Sequence, residues 1–323
     1  MKYVFGPVPS RRLGKSLGVD PVPLKTCNWN CVYCQLGRSR PVVNERADYY
    51  PPEEIVAEVG EALAKHATGQ IDWVTFVGSG EPLLHAHMGW MLREVKAMTD
   101  IPIALITNGS LLYLPAVRQE IAVADAVLPT LDAGSADVYR RIDRPHAEAT
   151  FERLVEGLVS FSQEYGGKLW VETMLVSGMN DGEEALHDIA ARIKEIAPDE
   201  VHINLPTRPP AEAWLEPPDD ESLMRAIGII EEVAPVKAVY PLVDSSVDLS
   251  AYDKPIDAVV GIIARHPLRE EEVLETLDRW APGDVKEALR ELESGGRAQV
   301  VIRYGTRFWT AAPSFFPEVS GPA

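Results

Sequence analysis

The sequence has few cysteines and no long apolar run. Only three of its 323 residues are cysteine. A secreted protein held by disulfides would carry an even, dispersed set, so a disulfide framework is excluded. No apolar stretch reaches the roughly 18 residues that a membrane span needs, and the opening residues lack the apolar core of a signal peptide. We therefore expect a cytoplasmic protein with no membrane partner.

Positive charge is scarce and unevenly distributed. The chain has 31 Lys and Arg against 49 Asp and Glu, a formal net charge of −18. This balance argues against broad, nonspecific binding to nucleic acid. Residues 1–46 are the exception, because eight basic residues outnumber two acidic residues there. That segment is a candidate anion-facing patch, although ordinary surface charge explains it as well.

Apolar runs of strand length alternate with helix-like stretches along the first three quarters of the chain. The strand runs are almost wholly apolar, which is typical of parallel strands covered by helices. Six alternations predict an α/β fold built on an open sheet or on a partial or full barrel. The strand runs are 16–20, 73–77, 101–107, 126–131, 169–175 and 201–205, and the helix-like stretches lie near 53–65, 88–98, 112–122, 150–164, 182–196 and 220–233.

A second, smaller domain is expected after a loop-rich boundary. Three short helices precede two strand-like runs joined by Gly305-Thr306. Three helices and a hairpin are typical of a winged-helix domain. The predicted division is residues 1–243 for the first domain, 244–255 for a linker and 256–323 for the winged-helix-like domain. Within the latter, helices are expected at 256–264, 269–280 and 284–294, and strands at 298–304 and 307–311.

The three cysteines lie within eight residues of one another, as Cys27, Cys31 and Cys34. Soft thiolates select iron–sulfur clusters, zinc or copper(I). A structural zinc takes four ligands, and neither a fourth cysteine nor a histidine at finger spacing accompanies these three. Three thiolates on a 4Fe–4S cluster would leave one iron open to a small molecule.

The pattern Cys-x3-Cys-x-Tyr-Cys, placed after the first predicted strand, resembles the signature of the radical S-adenosylmethionine (SAM) superfamily. The resemblance spans residues 10–235 and implies a partial (βα)6 barrel. It implies that Cys27, Cys31 and Cys34 bind a 4Fe–4S cluster whose open iron chelates SAM. It also implies an enzyme, of oxidoreductase type, that cleaves SAM reductively to a 5′-deoxyadenosyl radical and takes hydrogen from a substrate. The electron would come from a reductant such as flavodoxin or ferredoxin.

Polar residues at the strand ends are the candidates for holding SAM. The segment 77–82, Val-Gly-Ser-Gly-Glu-Pro, resembles the Gly-Gly-Glu motif of the superfamily, and its glycines permit a close backbone approach. In this superfamily one polar group usually holds the ribose hydroxyls; Asp132 and Glu172 are equally eligible. These positions coincide with the carboxyl ends of strands, where α/β barrels place their sites. The full set of candidates is Ser79, Gly80, Glu81, Asn108, Asp132, Glu172 and Asn204.

Four arginines in the loops are candidates for the substrate. Arginine presents a planar fork that suits a carboxylate or a phosphate. If the loops converge on the barrel mouth, a small or medium-sized anionic substrate is expected. No catalytic side chain is assigned, because hydrogen abstraction by a radical requires no general base. The candidates are Arg11, Arg12, Arg144 and Arg208.

The same loops resemble those of a poorly characterised subgroup similar to the wyosine-base synthesis enzymes of transfer RNA. Those enzymes carry a second cluster, and the cysteines for it are missing here. A transfer-RNA-modifying enzyme stays open as an alternative, as do a non-enzymatic iron–sulfur sensor and a zinc-binding regulator. For RNA, the hairpin run Arg303, Tyr304, Arg307, Phe308 and Trp309 mixes cations with aromatics, as single-strand sites do. We favour a capping or protein-contact role for this domain over nucleic-acid binding, because its residues are net acidic.

Overall fold

One curled sheet of eight strands organises the first part of the chain. The computed structural model describes residues 1–238, 255–280 and 285–312. Strands β1 to β8 follow one another across the sheet in sequence order, with β1 and β2 antiparallel and every later pair parallel. The strands are β1 Val4–Ser10, β2 Gly14–Val19, β3 Trp73–Phe76, β4 Ile103–Thr107, β5 Ala126–Pro129, β6 Lys168–Met174, β7 Glu200–Asn204 and β8 Val236–Ala238.

Helices connect the parallel strands and confirm the predicted α/β alternation. The six predicted strands correspond to β2 to β7. The structure adds the edge strands β1 and β8, and it divides the connection after β5 between two helices rather than one. The helices are α1 Pro52–Ala64, α2 Met88–Met98, α3 Pro115–Ile121, α4 Ala136–Ile142, α5 Phe151–Glu164, α6 Glu183–Ile196 and α7 Asp220–Glu231.

The two faces of the sheet carry different residues. Val74, Phe76 and Leu105 point into the large core formed with the helices. Their neighbours in the strands point the other way, since side chains alternate along a strand. That opposite face holds a small apolar cluster that includes Ala104 and Trp170, and nearer the strand ends it becomes polar. The helices therefore leave the inner face of the sheet open for a site.

A second unit follows, formed by residues 255–280 and 285–312. Three helices pack with a three-stranded antiparallel sheet in the order β10-β11-β9. The helices and the hairpin lie where the sequence predicts them, and only β9 is unexpected. The elements are α8 Pro255–Ile263, β9 Leu268–Arg269, α9 Glu270–Trp280, α10 Val285–Ser294, β10 Ala298–Arg303 and β11 Thr306–Ala311. Residues 244–254 of the predicted linker lie outside the described residues.

The second unit has its own apolar core and lies against the edge of the sheet. Val259, Val273, Leu277 and Trp309 are buried in that core, and Val8 of β1 packs against it. We call residues 255–280 and 285–312 the C-terminal unit. Among the residues described, no helix has both the length and the apolar character needed to cross a bilayer.

Candidate active site

The loop between β2 and α1 carries the three cysteines, and two other segments hold its backbone. On one side, the Lys25 amide donates to the Ser79 carbonyl at 2.6 Å and the Glu81 amide to the Thr26 carbonyl at 2.8 Å. On the other side, the Asn30 amide donates to the Asp143 carbonyl at 2.9 Å. The loop after β3 and the residues after α4 therefore fix the cysteine loop from both sides.

Gly80 lies at the closest of these contacts. A Cβ atom at this position would be 1.8 Å from the carbonyl oxygen of Thr26 and 2.5 Å from its carbonyl carbon. Only glycine allows such an approach between two backbone segments. The sequence predicts that the backbone at Gly80 lies close to SAM. The structure shows that it lies close to the backbone of the cysteine loop.

The cysteine thiols are partly buried, with a cationic side chain beside them. Burial raises the pKa of the Cys27 thiol to about 12 and that of the Cys31 thiol well above its usual range. Lys25 Nζ donates to Cys34 Sγ at 3.0 Å. A cysteine binds a metal as the thiolate, and burial disfavours that charged form. Cationic charge at the site must therefore stabilise the thiolates. Three soft sulfur donors beside an ammonium group fit an iron–sulfur cluster. In the described part of the chain, no three His, Cys, Asp or Glu side chains are placed to hold a single metal ion.

Glu81 ties the ends of β3 and β4 together. Its carboxylate accepts from the Leu83 amide at 2.9 Å, the Thr107 hydroxyl at 2.5 Å and the Asn108 amide at 2.7 Å. Burial raises the pKa of Glu81 to about 7. The three hydrogen bonds lower this pKa and so oppose part of the effect of burial. The Asn108 side chain in turn donates to Asn28 Oδ1 at 2.7 Å, next to Cys27. Glu81 and Asn108, both predicted from the sequence, thus lie beside the cysteine loop. Their hydrogen bonds hold that loop in position against the ends of β3 and β4.

Asp20 links the loop after β3 to the C-terminal unit. Its carboxylate accepts from the Ser79 amide at 2.9 Å and from the Ser79 hydroxyl at 2.5 Å. The same group accepts from Arg265 Nε at 2.7 Å. Arg265 follows α8, and its carbonyl oxygen accepts from Gln35 Nε2 at 3.2 Å, one residue after Cys34. The position of the C-terminal unit is therefore coupled to both loops of the site.

Asp20→Asn is expected to weaken SAM binding. The amide nitrogen of asparagine would face a donor where a carboxylate oxygen now accepts, so one buried hydrogen bond becomes a donor–donor contact. We expect about tenfold weaker binding of SAM to the cluster-loaded protein, measured by equilibrium titration. The control is Asp257→Asn, which removes an exposed ion pair with Arg297 at 2.8 Å and should leave the affinity unchanged. Equal SAM affinities for Asp20→Asn and the wild type would show that this link does not shape the site.

The two acidic candidates for the ribose lie in different surroundings. Asp132 is 1% exposed and is already bonded, since it accepts from the Tyr33 hydroxyl and from the Met174 amide at 2.7 Å. Burial raises the pKa of Asp132 to about 6. Glu172 instead lines a cavity, where it accepts a hydrogen bond from Arg12. Asn204 lines the same cavity, and its buried side-chain oxygen has no hydrogen-bond partner in the described structure.

A cavity of about 500 Å³ lies between the inner face of the sheet, the β1–β2 hairpin and the C-terminal unit. Cys34, Gly78 and Glu172 line it from the barrel side. Its volume falls in the range of small-molecule sites, which usually occur as concave clefts between domains. The cysteine loop and the strand ends therefore line one shared cavity.

Three of the four predicted arginines line this cavity, namely Arg11, Arg12 and Arg208. Arg208 donates to the Pro267 carbonyl and lies 3.5 Å from Glu272, so it also holds the C-terminal unit. Arg144 does not reach the cavity. It pairs with Glu212, which Arg38 also contacts at 2.8 Å.

The C-terminal unit supplies cavity residues that the sequence reasoning missed. Arg265, His266 and Arg269 line the cavity opposite the sheet. They lie more than 200 residues from the cysteines in sequence, and no spacing rule connects the two segments. The only signal was the concentration of basic residues at 265–269 in an otherwise acidic domain.

Two of the three aromatic residues of the β10–β11 hairpin, Phe308 and Trp309, are not available for stacking. The third, Tyr304, is 40% exposed, and its hydroxyl donates to the Leu215 carbonyl at 3.1 Å. Phe308 and Trp309 are each 1% exposed. Trp309 Nε1 donates to Glu270 at 3.3 Å, and Arg307 pairs with the same carboxylate at 2.8 Å. These side chains hold the C-terminal unit together.

Comparison with known proteins identifies the family to which this cysteine loop and half-barrel belong. The family model described as "Radical SAM superfamily" matches residues 22–190, from the cysteine loop through most of α6. The chain belongs to the radical SAM superfamily. The chain is therefore an enzyme. Its α/β half-barrel is the fold expected from the sequence.

Relatives and solved structures agree with this assignment. The UPF0026 protein MJ1312 of Methanocaldococcus jannaschii is 36% identical over 86% of this chain and 87% of its own length. A Brachyspira hyodysenteriae protein named GTPase Obg is 38% identical over 82% of this chain, which spans only 39% of that protein. The crystal structure of a radical SAM methyltransferase from Sphaerobacter thermophilus shares the fold, with a TM-score of 0.52 and 18% identity over 69% of this chain and 66% of that one. The radical SAM assignment thus rests on sequence and fold together, and UPF0026 is the subgroup that it resembles.

Proposed function

We propose that the protein cleaves SAM reductively at a single 4Fe–4S cluster and takes a hydrogen atom from an anionic substrate. The observation that carries this proposal is the shared cavity, which is lined by Cys34, by Glu172 and by the predicted arginines Arg11, Arg12 and Arg208. One electron, from a reductant such as flavodoxin or ferredoxin, would break the carbon–sulfur bond to give methionine and a 5′-deoxyadenosyl radical.

Specific side chains would hold the two cofactors. Cys27, Cys31 and Cys34 would ligate the cluster, and the backbone at Ser79 and Gly80 would face the methionine part of SAM. Glu172 suits the ribose hydroxyls better than Asp132, because Glu172 faces the cavity and Asp132 already accepts two hydrogen bonds. The unpartnered oxygen of Asn204 suits the exocyclic amino group of adenine, which is a hydrogen-bond donor.

The remaining residues would position the substrate and exclude water. The C-terminal unit lines the cavity on the side away from the sheet, so it would shield part of the site from water. We propose that this unit has a winged-helix arrangement and serves here as a cap. Its helix order and antiparallel hairpin support that arrangement, and the burial of Phe308 and Trp309 favours a cap over an RNA-binding surface.

Electron paramagnetic resonance of the reduced, cluster-loaded protein tests this proposal. If SAM chelates an open iron, adding SAM will change the spectrum of the reduced cluster. The control is S-adenosylhomocysteine, which lacks the sulfonium methyl group and its charge. A four-iron spectrum that SAM leaves unchanged would favour the sensor alternative, and zinc in place of iron after anaerobic purification would favour the regulator.

A further inference from the structure

Lys25 places an ammonium group against one of the three cysteine sulfur atoms. Its Nζ donates to Cys34 Sγ at 3.0 Å and to the carbonyl oxygen of Gly37. We propose that Lys25 sets the reduction potential of the cluster, because its positive charge stabilises the electron that the cluster receives. This inference rests on the proposed function, since it requires the 4Fe–4S cluster assigned to Cys27, Cys31 and Cys34.

The backbone of Lys25 has a conformation that a lysine rarely adopts. Its φ angle is +65°, in the left-handed region that glycine enters freely and that a Cβ atom disfavours. The Lys25 amide is held there by its hydrogen bond to the Ser79 carbonyl at 2.6 Å. Glycine would suit this backbone better, so the strain indicates that the lysine side chain has a role.

Lys25 lies apart from the space in which SAM and a substrate would bind. Cys34 lines the cavity of about 500 Å³, whereas Lys25 does not. The ammonium group therefore contacts the sulfur atom of Cys34 without facing the cavity. Because Lys25 is also half-buried, water screens its charge only in part. We expect this charge to act on the cluster rather than on SAM or on the substrate.

Negatively charged groups lie around the thiols. After burial, the largest contribution to the raised pKa of the Cys27 thiol comes from Glu81, and the largest to that of the Cys31 thiol comes from Asp143. Burial lowers the pKa of Lys25, but the three thiols together raise that pKa above its ordinary value. Lys25 therefore keeps its charge in these surroundings.

Reduction of the cluster is the step that this charge would favour. The step transfers one electron from the reductant to the cluster and moves no proton, so the site gains one negative charge. Nearby carboxylates oppose that gain, and a cation in contact with a ligand sulfur favours it. Net charge and hydrogen bonds to the sulfur atoms both set the potentials of iron–sulfur clusters. Lys25 supplies both at Cys34, and so would make the cluster easier to reduce by a donor such as flavodoxin or ferredoxin.

The test is a redox titration of the full-length, cluster-loaded protein without SAM, followed by electron paramagnetic resonance of the reduced cluster. Lys25→Met removes the charge and the hydrogen bond, whereas Lys25→Arg keeps the charge. For Lys25→Met we expect the equilibrium constant for reduction to fall about tenfold, which is a midpoint potential about 59 mV more negative. Lys25→Arg should stay within about threefold of the wild type. The matched control is Lys194→Met, at an exposed lysine in the last turn of α6, which should leave the potential unchanged.

Equal potentials for Lys25→Met and the wild type would overturn the inference. A normal potential combined with weaker SAM binding would also do so, because Lys25 would then belong to the SAM site. Lys25→Gln is a second neutral variant, for use if Lys25→Met does not retain its cluster. Iron content and melting temperature are measured for every variant. Loss of the cluster or of the fold in both neutral variants would make Lys25 a structural residue and would likewise overturn the inference.

Failure of the proposed function gives a different result. A wild-type protein that shows the expected dependence of the potential on Lys25, but leaves bound SAM intact on reduction, would retain this inference and lose the radical chemistry. A wild-type protein that holds no four-iron cluster after anaerobic reconstitution would overturn both.

Discussion

Replacing Cys31 with alanine will leave the chain folded but unable to retain a four-iron cluster. The two remaining thiolates cannot hold the cluster in place, and the iron content after anaerobic reconstitution should fall to near the background level. Production of 5′-deoxyadenosine should fall at least about a hundredfold, because SAM would have no open iron to bind. Iron analysis and chromatography of the reduced reaction mixture measure both effects.

Structural damage from this substitution should be small. Cys31 is partly buried and packs at the edge of the large core, so removing its sulfur should reduce the free energy of unfolding of the cluster-free protein by about 1 kcal/mol or less. Denaturant unfolding of the two cluster-free proteins checks this. A Cys31→Ala protein with full iron content and undiminished 5′-deoxyadenosine would refute the assignment of this residue as a ligand.

Replacing Gly80 with alanine is expected to have the second largest effect. The new methyl group would lie 1.8 Å from the Thr26 carbonyl oxygen, so either the loop after β3 or the cysteine loop must move. The move would break the hydrogen bonds that join Lys25 to Ser79 and Thr26 to Glu81. We expect at least about 3 kcal/mol lower stability, and SAM binding too weak to detect in those molecules that fold.

Gly228→Ala is the matched control for this change. Gly228 lies in α7, and a Cβ at that position would have no atom within 4 Å. Alanine should therefore stabilise the helix by about 0.5–1 kcal/mol and leave SAM binding unchanged. Denaturant unfolding and SAM titration on both variants separate the steric effect at Gly80 from the general effect of glycine replacement. A Gly80→Ala protein as stable as the wild type and with the same SAM affinity would contradict the account of this loop.

The main features of the fold could be predicted because the parallel strands are short, apolar and regularly spaced. The first edge strand was missed for a physical reason. Residues 4–10 contain two prolines and a glycine, which disfavour a central strand but are tolerated at an edge. Three-residue β8 and two-residue β9 are too short for any periodicity, and they form because a neighbouring strand is already in place.

The candidate site was predictable where residues are close in sequence and not where they come together through the fold. The cysteine spacing and the Gly-Ser-Gly-Glu segment lie within single loops. In contrast, Asp20 meets Arg265, and Arg269 lines the same cavity as Arg11, only because the C-terminal unit packs on the β1–β2 hairpin. Arg144 looked equivalent to Arg208 in sequence. Its pairing with Glu212 depends on a tertiary contact that no local pattern reveals.

Reduction of the cluster-loaded wild-type protein with dithionite in the presence of SAM is the most direct test of the central claim. The measured quantities are 5′-deoxyadenosine and methionine, compared with the same reaction of Cys31→Ala. The account predicts both products in equal amounts from the wild type and neither above background from the variant. Intact SAM in the wild-type reaction, with the cluster reduced and SAM shown to be bound, would contradict it.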